Sequence, residues 1–514
     1  VLAHAGNLFD GVTVNGDLDM VVNSSQLVVI NGLELNGTLT LDVFARILFA
    51  GTQSLSGNGM VLLGPNGSHH HKALLVRDAG TTLTLESGIT VTGHSGLVGG
   101  FSGWPLYSPE DVFVINYGTI LADEPGGTIE VRGTQVTSHG TTGTAAGGNL
   151  IAHNLESLGL VQAYGIGVLT VDSNLNLFGS AMLQGEPYAT LTVHGDLLGD
   201  TRNRDRSTPT GTLRLVGSGT AGNPQLLEVM GEDIGPDPAG FVRNFAHGVL
   251  SIGSSTYLRL VDHSDNADGL GSEALYLDGV ILPEGSTFDL NGLHVYARAV
   301  SVHSNAVVTG GSITMLPDGG VTQAGLSMHG AISVPGQEDE WTFFGRAGQW
   351  INVIARTGHA HSTEPLSPTL EYLEATLRDP AASTLATGSN TVPGQAVELV
   401  DVVLPADGTY TVGIRAPASH PHATGTYILE IWDTTPDDFA AVWLDIELVL
   451  EAAGPQITLS YPTVDGWEHT VEYLDDLGLE LPWAPMPGAP HNTGSLSDTN
   501  LPGQRNYRLM LNRP

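Results

Sequence analysis

The sequence predicts an all-β protein: a parallel β-helix, or solenoid, followed by two antiparallel β-sandwich domains. Three observations lead there. Gly accounts for 67 of 514 residues, a load that weakens helix interiors. Short apolar runs alternate with polar residues and break at Gly, Asn, Asp or Ser every six to ten positions, the signature of short strands. The texture then changes near Pro317-Asp-Gly-Gly320, where longer strands begin.

Residues 1–325 are expected to form the shaft. Their phrases recur: Val12-Thr-Val-Asn-Gly-Asp-Leu18 returns as Leu191-Thr-Val-His-Gly-Asp-Leu197, with relatives at Leu39-Thr-Leu-Asp42, Leu83-Thr-Leu-Glu86 and Leu169-Thr-Val-Asp172. One texture held over 300 residues reads as a solenoid rather than a sandwich. Inward Leu, Val and Ile would stack from coil to coil, and Asn and Gly would take the corners where φ is positive. The coil period is irregular. Segments 64–72, 99–111, 138–149 and 200–210 read as loops projecting from the shaft.

Residues 326–433 carry strands of clean alternation at 340–344, 350–356, 397–404, 409–415 and 426–432, the pattern of an antiparallel sandwich. Residues 434–514 form a third unit. Segments 443–450 and 456–461 read as a hairpin around Ala452-Ala-Gly-Pro455, with further strands at 469–473 and 506–511. A helix near 436–453 is the competing assignment. A small fibronectin-III-like sandwich fits this unit.

Charge limits the partners. Lys+Arg total 18 and Asp+Glu total 54, a net charge of −36, which repels nucleic acid and anionic lipid and attracts divalent cations. No cysteine is present, so disulfides and thiolate chemistry are excluded. No apolar run is long enough to span a membrane. The first residues, Val1-Leu2-Ala3-His4, lack an initiating Met, as signal-peptide removal or proteolysis would leave them.

Among candidate sites, Asp262, Asp265, Asp268 and Glu273 share one Asn/Gly-rich turn and offer oxygen ligands to calcium. Their spacing departs from the EF-hand rule, and a solvated acidic turn is the alternative. Glu338, Asp339 and Glu340 repeat the idea more weakly. His69-His70-His71, and the pairs His359/His361 and His420/His422, are expected to be surface loop histidines. A zinc or copper site would require separated histidines to meet. Polysaccharide-cleaving β-helices use clustered carboxylates with Arg or Lys. Here Lys72 is the sole lysine, no Asp/Asp/Arg set recurs on adjacent coils, and no Gly-x-Ser-x-Gly elbow occurs.

Two stretches carry a resemblance. The segment 330–349, opening Gly330-Ala-Ile-Ser-Val-Pro-Gly-Gln, resembles the start of bacterial pre-peptidase C-terminal domains, and Leu404-Pro-Ala-Asp-Gly-Thr-Tyr-Thr-Val412 and Thr424-Gly-Thr-Tyr-Ile-Leu429 resemble their closing strands. That resemblance implies a jelly-roll-like module of secreted proteins that binds or spaces and does not catalyse. The segment 258–276 is similar to parts of very large secreted surface proteins of planctomycete and verrucomicrobial bacteria, where it follows autotransporter-like β-helical repeats. Thr470-Val-Glu-Tyr473, Trp483 and Gly503-Gln-Arg-Asn-Tyr-Arg508 resemble C-terminal modules of such proteins.

These readings converge on a non-catalytic, extracellular or cell-surface structural protein. It is expected to be the repeating subunit of a filament, sheath or surface layer that assembles with itself head to tail and needs no cofactor, with calcium as an optional ion. A monomeric adhesin whose sandwiches bind cell-surface polysaccharide or matrix is the first alternative. A polysaccharide-degrading enzyme is the second.

Overall fold

The computed structural model describes residue 2 and residues 6–267 and 271–435. Beyond these it describes the strands Asp445–Glu451, Gly454–Ser460, Glu468–Leu474, Ala484–Pro485, Ser495–Asp498 and Asn506–Asn512. Asp268 lies outside the described residues.

The shaft is a stack of parallel coils with three strands per regular turn. Nine short strands, from Leu18–Met20 to Thr208–Pro209, form one face. The other two faces run together as a 25-stranded sheet, because strands such as Gln26–Leu35 pass around a corner without ending. The corner is Asn31-Gly32, with φ of 57° and 86°. These are left-handed values that Asn and Gly tolerate and branched residues do not.

Register explains why the period resists reading from sequence. Leu169 stacks on Leu191 and Leu191 on Leu213, steps of 191 − 169 = 22 and 213 − 191 = 22 residues. Leu97 stacks on Glu130, a step of 130 − 97 = 33 residues, because the loop after Gly99 is inserted there. Leu213 stacks on Leu250, a step of 37. Coils of unequal length still align because only the strands are constrained. One inward column runs Leu74, Val98, Val131, Ala152, Val171, Val193 and Leu215, every member fully buried. Each side chain covers the one below, which is how strands of four residues build a continuous core.

Two antiparallel sheets follow. Gly320–Val321, Glu338–Gly345, Gly408–Arg415, Glu374–Arg378 and Thr384–Ser389 form one, with the short Gly320–Val321 joining in parallel. Ser327–Ile332, Gly425–Asp433, Trp350–Arg356 and Val397–Val403 form the other. Trp341, Phe343, Tyr410 and Tyr427 fill the space between them. The same core continues into the shaft through Phe241, Tyr276 and Tyr296, so this sandwich is docked against the last coils.

Polar groups fix that docking. His329, on Ser327–Ile332, meets Asp278 of the shaft strand Ala274–Leu282. Its Nδ1 lies 2.6 Å and its backbone N–H 2.8 Å from the carboxylate oxygens. The Arg298 guanidinium, 6% exposed, sits 4.4 Å from the Phe241 ring centre and 4.5 Å from that of Trp341. Tyr188, Arg356 and Glu430 close a third contact.

The last residues fold as two three-stranded antiparallel sheets. Within the hairpin expected at 443–461, Asp445–Glu451 pairs antiparallel with Gly454–Ser460. Residues 445–451 are therefore strand, and the start of the competing helix, 436–444, lies outside the described residues.

Candidate functional site

The most developed polar cluster lies on the side of the shaft where two insertions meet. The first, 64–72, is anchored by Lys72. This lysine is fully buried and its Nζ donates to the Asn66 carbonyl at 2.7 Å. Burial lowers its pKa, against the pull of Asp42. The sole lysine therefore holds a loop in place. The turn His69–His71 that precedes it is a single 3-10 turn. His71 stacks on Phe44 with ring centres 4.1 Å apart. The second insertion brings Phe101, which stacks on His70 at 3.9 Å.

Beneath both lies Glu130, on strand Thr128–Arg132. Alternation sends Ile129 and Val131 into the core and Glu130 outward, yet Glu130 is buried because the insertions cover it. Its Oε2 accepts from His70 Nε2 at 2.7 Å, and His69 Nε2 stands 3.5 Å away. Its Oε1 accepts from His153 Nε2 at 2.9 Å and Arg132 at 3.3 Å. Arg132 also reaches Glu110 at 3.4 Å, and His153 reaches Asp172 at 3.5 Å. Burial opposes the charge of Glu130, but the hydrogen bonds from His153 and His70 outweigh it and hold the pKa down at about 2. A carboxylate so held is an anchor or ligand; it has no proton to give a leaving group at neutral pH.

Stacking builds the column beside it. Gly99 aligns with Arg132, and Val131 aligns with Ala152 and that residue with Val171, which places His153 and Asp172 on successive coils after Arg132. Gly99 is required: a Cβ there would come within 1.8 Å of the Arg132 carbonyl oxygen.

His69, His70 and His71 lie on a surface insertion and are half-buried there by this packing. A search for sets recurring on adjacent coils misses the cluster, because its members come from an insertion, a strand and a coil corner. The triple histidine is the one signal in the sequence that marks it.

The acidic loop expected to bind calcium is only partly assembled. Asp262 accepts the Glu273 N–H at 3.3 Å. Glu273 is buried, and its Oε1 accepts the backbone N–H groups of Asn266 at 2.5 Å and Ala267 at 2.6 Å. The curl of the loop is thus held by Glu273 itself. Burial, reinforced by the Asp262 and Glu228 carboxylates, pushes the Glu273 pKa up to about 7 against those two hydrogen bonds. Among the described residues, its Oε2 and the buried Asn266 Oδ1 have no hydrogen-bond partner. Asp265 points elsewhere, to Arg202 at 2.9 Å, in an exposed ion pair. In the sandwich, Glu338 and Glu340 pair with Arg378 at 2.6 and 3.3 Å, and Asp339 is buried, accepting from the Tyr427 hydroxyl at 2.7 Å.

A third feature is a cleft of about 430 Å³ in the sandwich, lined by Ala360, Glu371, Tyr372, His420, Pro421 and His422. Tyr372 and His420 stack there with ring centres 3.5 Å apart and planes 2° from parallel. Loops 358–362 and 417–424 meet at this cleft.

No family model matches the chain and no curated protein matches it. Among solved structures it is similar to the pre-peptidase C-terminal domain of a Bacillus anthracis collagenase, at 14% identity over 22% of this chain and 95% of that one, with a TM-score of 0.17. It is also similar to the enzymatically active domain of tailspike protein 4 of bacteriophage CBA120, at 9% identity over 80% of this chain and 64% of that one, with a TM-score of 0.19. This chain therefore spans somewhat less than two thirds of the tailspike domain. Overlaps of that order carry no information about what the chain does. Among the described residues, no helix is long and apolar enough to cross a membrane.

Proposed function

We propose that the protein is a non-catalytic adhesin of the cell exterior, a stiff stalk whose docked sandwich holds a short stretch of cell-surface polysaccharide. The observation that carries this reading is the cleft at Tyr372 and His420. Its volume of about 430 Å³ falls in the range of ligand sites. The stacked Tyr372 and His420 rings give it an aromatic wall, and Glu371 adds an acceptor among mostly apolar surroundings. The net charge of −36 favours a neutral glycan over an acidic one.

Retention on an array of bacterial polysaccharides tests it. Tyr372→Ala and His420→Ala should each weaken binding about two- to tenfold, since an aromatic contact contributes about 0.5–1.5 kcal/mol. Retention unchanged in both variants, or release of reducing ends from the bound polymer, would defeat the reading.

The filament-subunit reading has its own support. The last shaft coils expose Val307 and Met315, each about half accessible at 50% and 52%. Among the described residues, the last shaft strands Val307–Thr309 and Ile313–Met315 pair on one side only. An unpaired strand edge can receive a second copy, and a contact that does not close gives a fibre. Sedimentation showing only monomer at high concentration would remove that reading.

A further inference from the structure

We propose that His69, His70 and Glu130 hold a zinc-class divalent cation on the side of the shaft. Among the described residues these three form the group whose donor atoms, His69 Nε2, His70 Nε2 and a Glu130 carboxylate oxygen, all lie within 4.8 Å of one another. Neighbours on an extended chain point apart; the 3-10 turn instead aims both adjacent imidazoles at one oxygen, Glu130 Oε2, at 3.5 and 2.7 Å. Two nitrogens and one carboxylate oxygen suit zinc, whose open sites keep three protein ligands and leave the fourth position to water.

The opposite oxygen, Oε1, is already occupied by His153 and Arg132 at 2.9 and 3.3 Å. These donors orient the carboxylate so that Oε2 faces the histidines, the role that outer partners play in metal sites. Phe101 stacked on the His70 ring fixes its plane. The charge of Arg132 opposes a cation, and Glu110 and Asp172 offset it. The His69 and His70 side chains remain 29% and 28% exposed, which leaves a path for the ion and for a fourth ligand. The site shares no residue with the polysaccharide cleft and does not depend on that reading.

The test is titration of the metal-stripped full chain with Zn²⁺ by calorimetry, with Co²⁺ absorption as a second readout. One equivalent should bind, and Co²⁺ should give the strong visible absorption of a tetrahedral site. His70→Ala should abolish binding. His153→Ala should weaken it about 10–100-fold. Replacing His359 and His361, or His420 and His422, by Ala should change nothing. Glu130→Gln should also abolish binding; if that variant fails to fold, the part-exposed His70→Ala decides. Absence of saturable binding, or binding that survives His70→Ala, overturns the proposal. Polysaccharide retention measured in chelator shows separately whether the adhesin reading stands.

Discussion

The middle of the shaft and its junction with the first sandwich are packed by different means. On the face built by Thr128–Arg132, Asn149–Ala152, Val168–Val171, Thr190–Val193 and Thr212–Leu215 the inward columns are Leu, Val, Ile and Ala stacked on their own kind. At the junction the buried residues are Tyr276, Tyr296, Trp341 and Tyr427, with Arg298, Asp278, His329 and Asp339 among them. A repeating column is satisfied by any apolar side chain of the right size, and it fixes no unique partner. A docked surface needs one register only, and directional groups set it: a His–Asp pair, an arginine between two rings, and a hydrogen-bonded chain from Trp341 Nε1 to the Tyr427 hydroxyl and on to Asp339.

The largest expected effect attacks the column. Val171→Asp places a carboxylate between the fully buried Ala152 and Val193. Such burial costs several kcal/mol, and because each coil is the template for the next, the loss spreads. The variant should fail to give a cooperative unfolding transition in urea. A soluble chain with a wild-type midpoint would mean that the columns are less tightly stacked than they stand here.

Next comes the junction. Asp278→Ala leaves His329 and Arg298 without their buried counter-charge and should cost about 3–5 kcal/mol. Limited proteolysis should then cut between shaft and sandwich before either unfolds. Arg298→Met separates stacking from charge. Among the described residues, Nε and one terminal nitrogen of Arg298 have no hydrogen-bond partner, and a thioether fills the same gap between Phe241 and Trp341. This change should cost under about 1.5 kcal/mol or stabilise. Equal losses for both variants would erase the distinction drawn between specificity and stability.

The junction should also respond to pH where the columns cannot. Burial works against the charged His329 ring, but the Asp278 carboxylate and the Leu366 carbonyl outweigh it and raise the pKa, with Arg298 pulling the other way. Both ring nitrogens face acceptors, at 2.6 and 3.3 Å, so the imidazolium is the form that fits. A raised folded pKa stabilises below the unfolded value of about 6.5, and that contribution is lost as pH rises through the folded value. Asp318 (pushed up to about 6) and Glu273 (about 7) act in the same direction at lower pH, since each becomes a buried charge on ionising and its loss accrues from about pH 4 up to those values. His247, lowered to about 4 by burial, acts oppositely and destabilises below about pH 6.5. Stability should therefore fall as pH rises above about 6.5 through the raised folded value of His329, and His329→Gln should flatten that slope. A slope unchanged in the variant would place the titration elsewhere.

The comparison also explains what was legible in the sequence. The columns announce themselves, because each strand carries its own alternation and Gly or Asn marks each corner, as at Asn31-Gly32. The coil period stayed hidden because steps of 22, 33 and 37 residues are all compatible with one register. The alternating strands of the sandwich were readable, but not their docking, which depends on His329 and Asp278 lying 329 − 278 = 51 residues apart. The histidine cluster was opaque for the same reason. Glu130 reads as an outward residue of an alternating strand, and only the fold of the 64–72 and 99–111 insertions buries it.

The smallest expected effect concerns the acidic loop and decides where any calcium sits. Sequence spacing gives Asp262, Asp265 and Glu273 equal claims, but the structure divides them. Asp265 is paired with Arg202 at the surface, an arrangement worth about 0.2–1 kcal/mol. Glu273 and Asn266 keep buried, unpartnered oxygens next to Asp262. Asp265→Asn should thus lower stability by at most about 1 kcal/mol and leave any calcium-dependent rise in melting temperature intact. Glu273→Gln should abolish that rise, because it removes a carboxylate whose second oxygen has nothing else to bind. A calcium response lost in Asp265→Asn and kept in Glu273→Gln would put the ion at the surface and break the Arg202 pair when it binds.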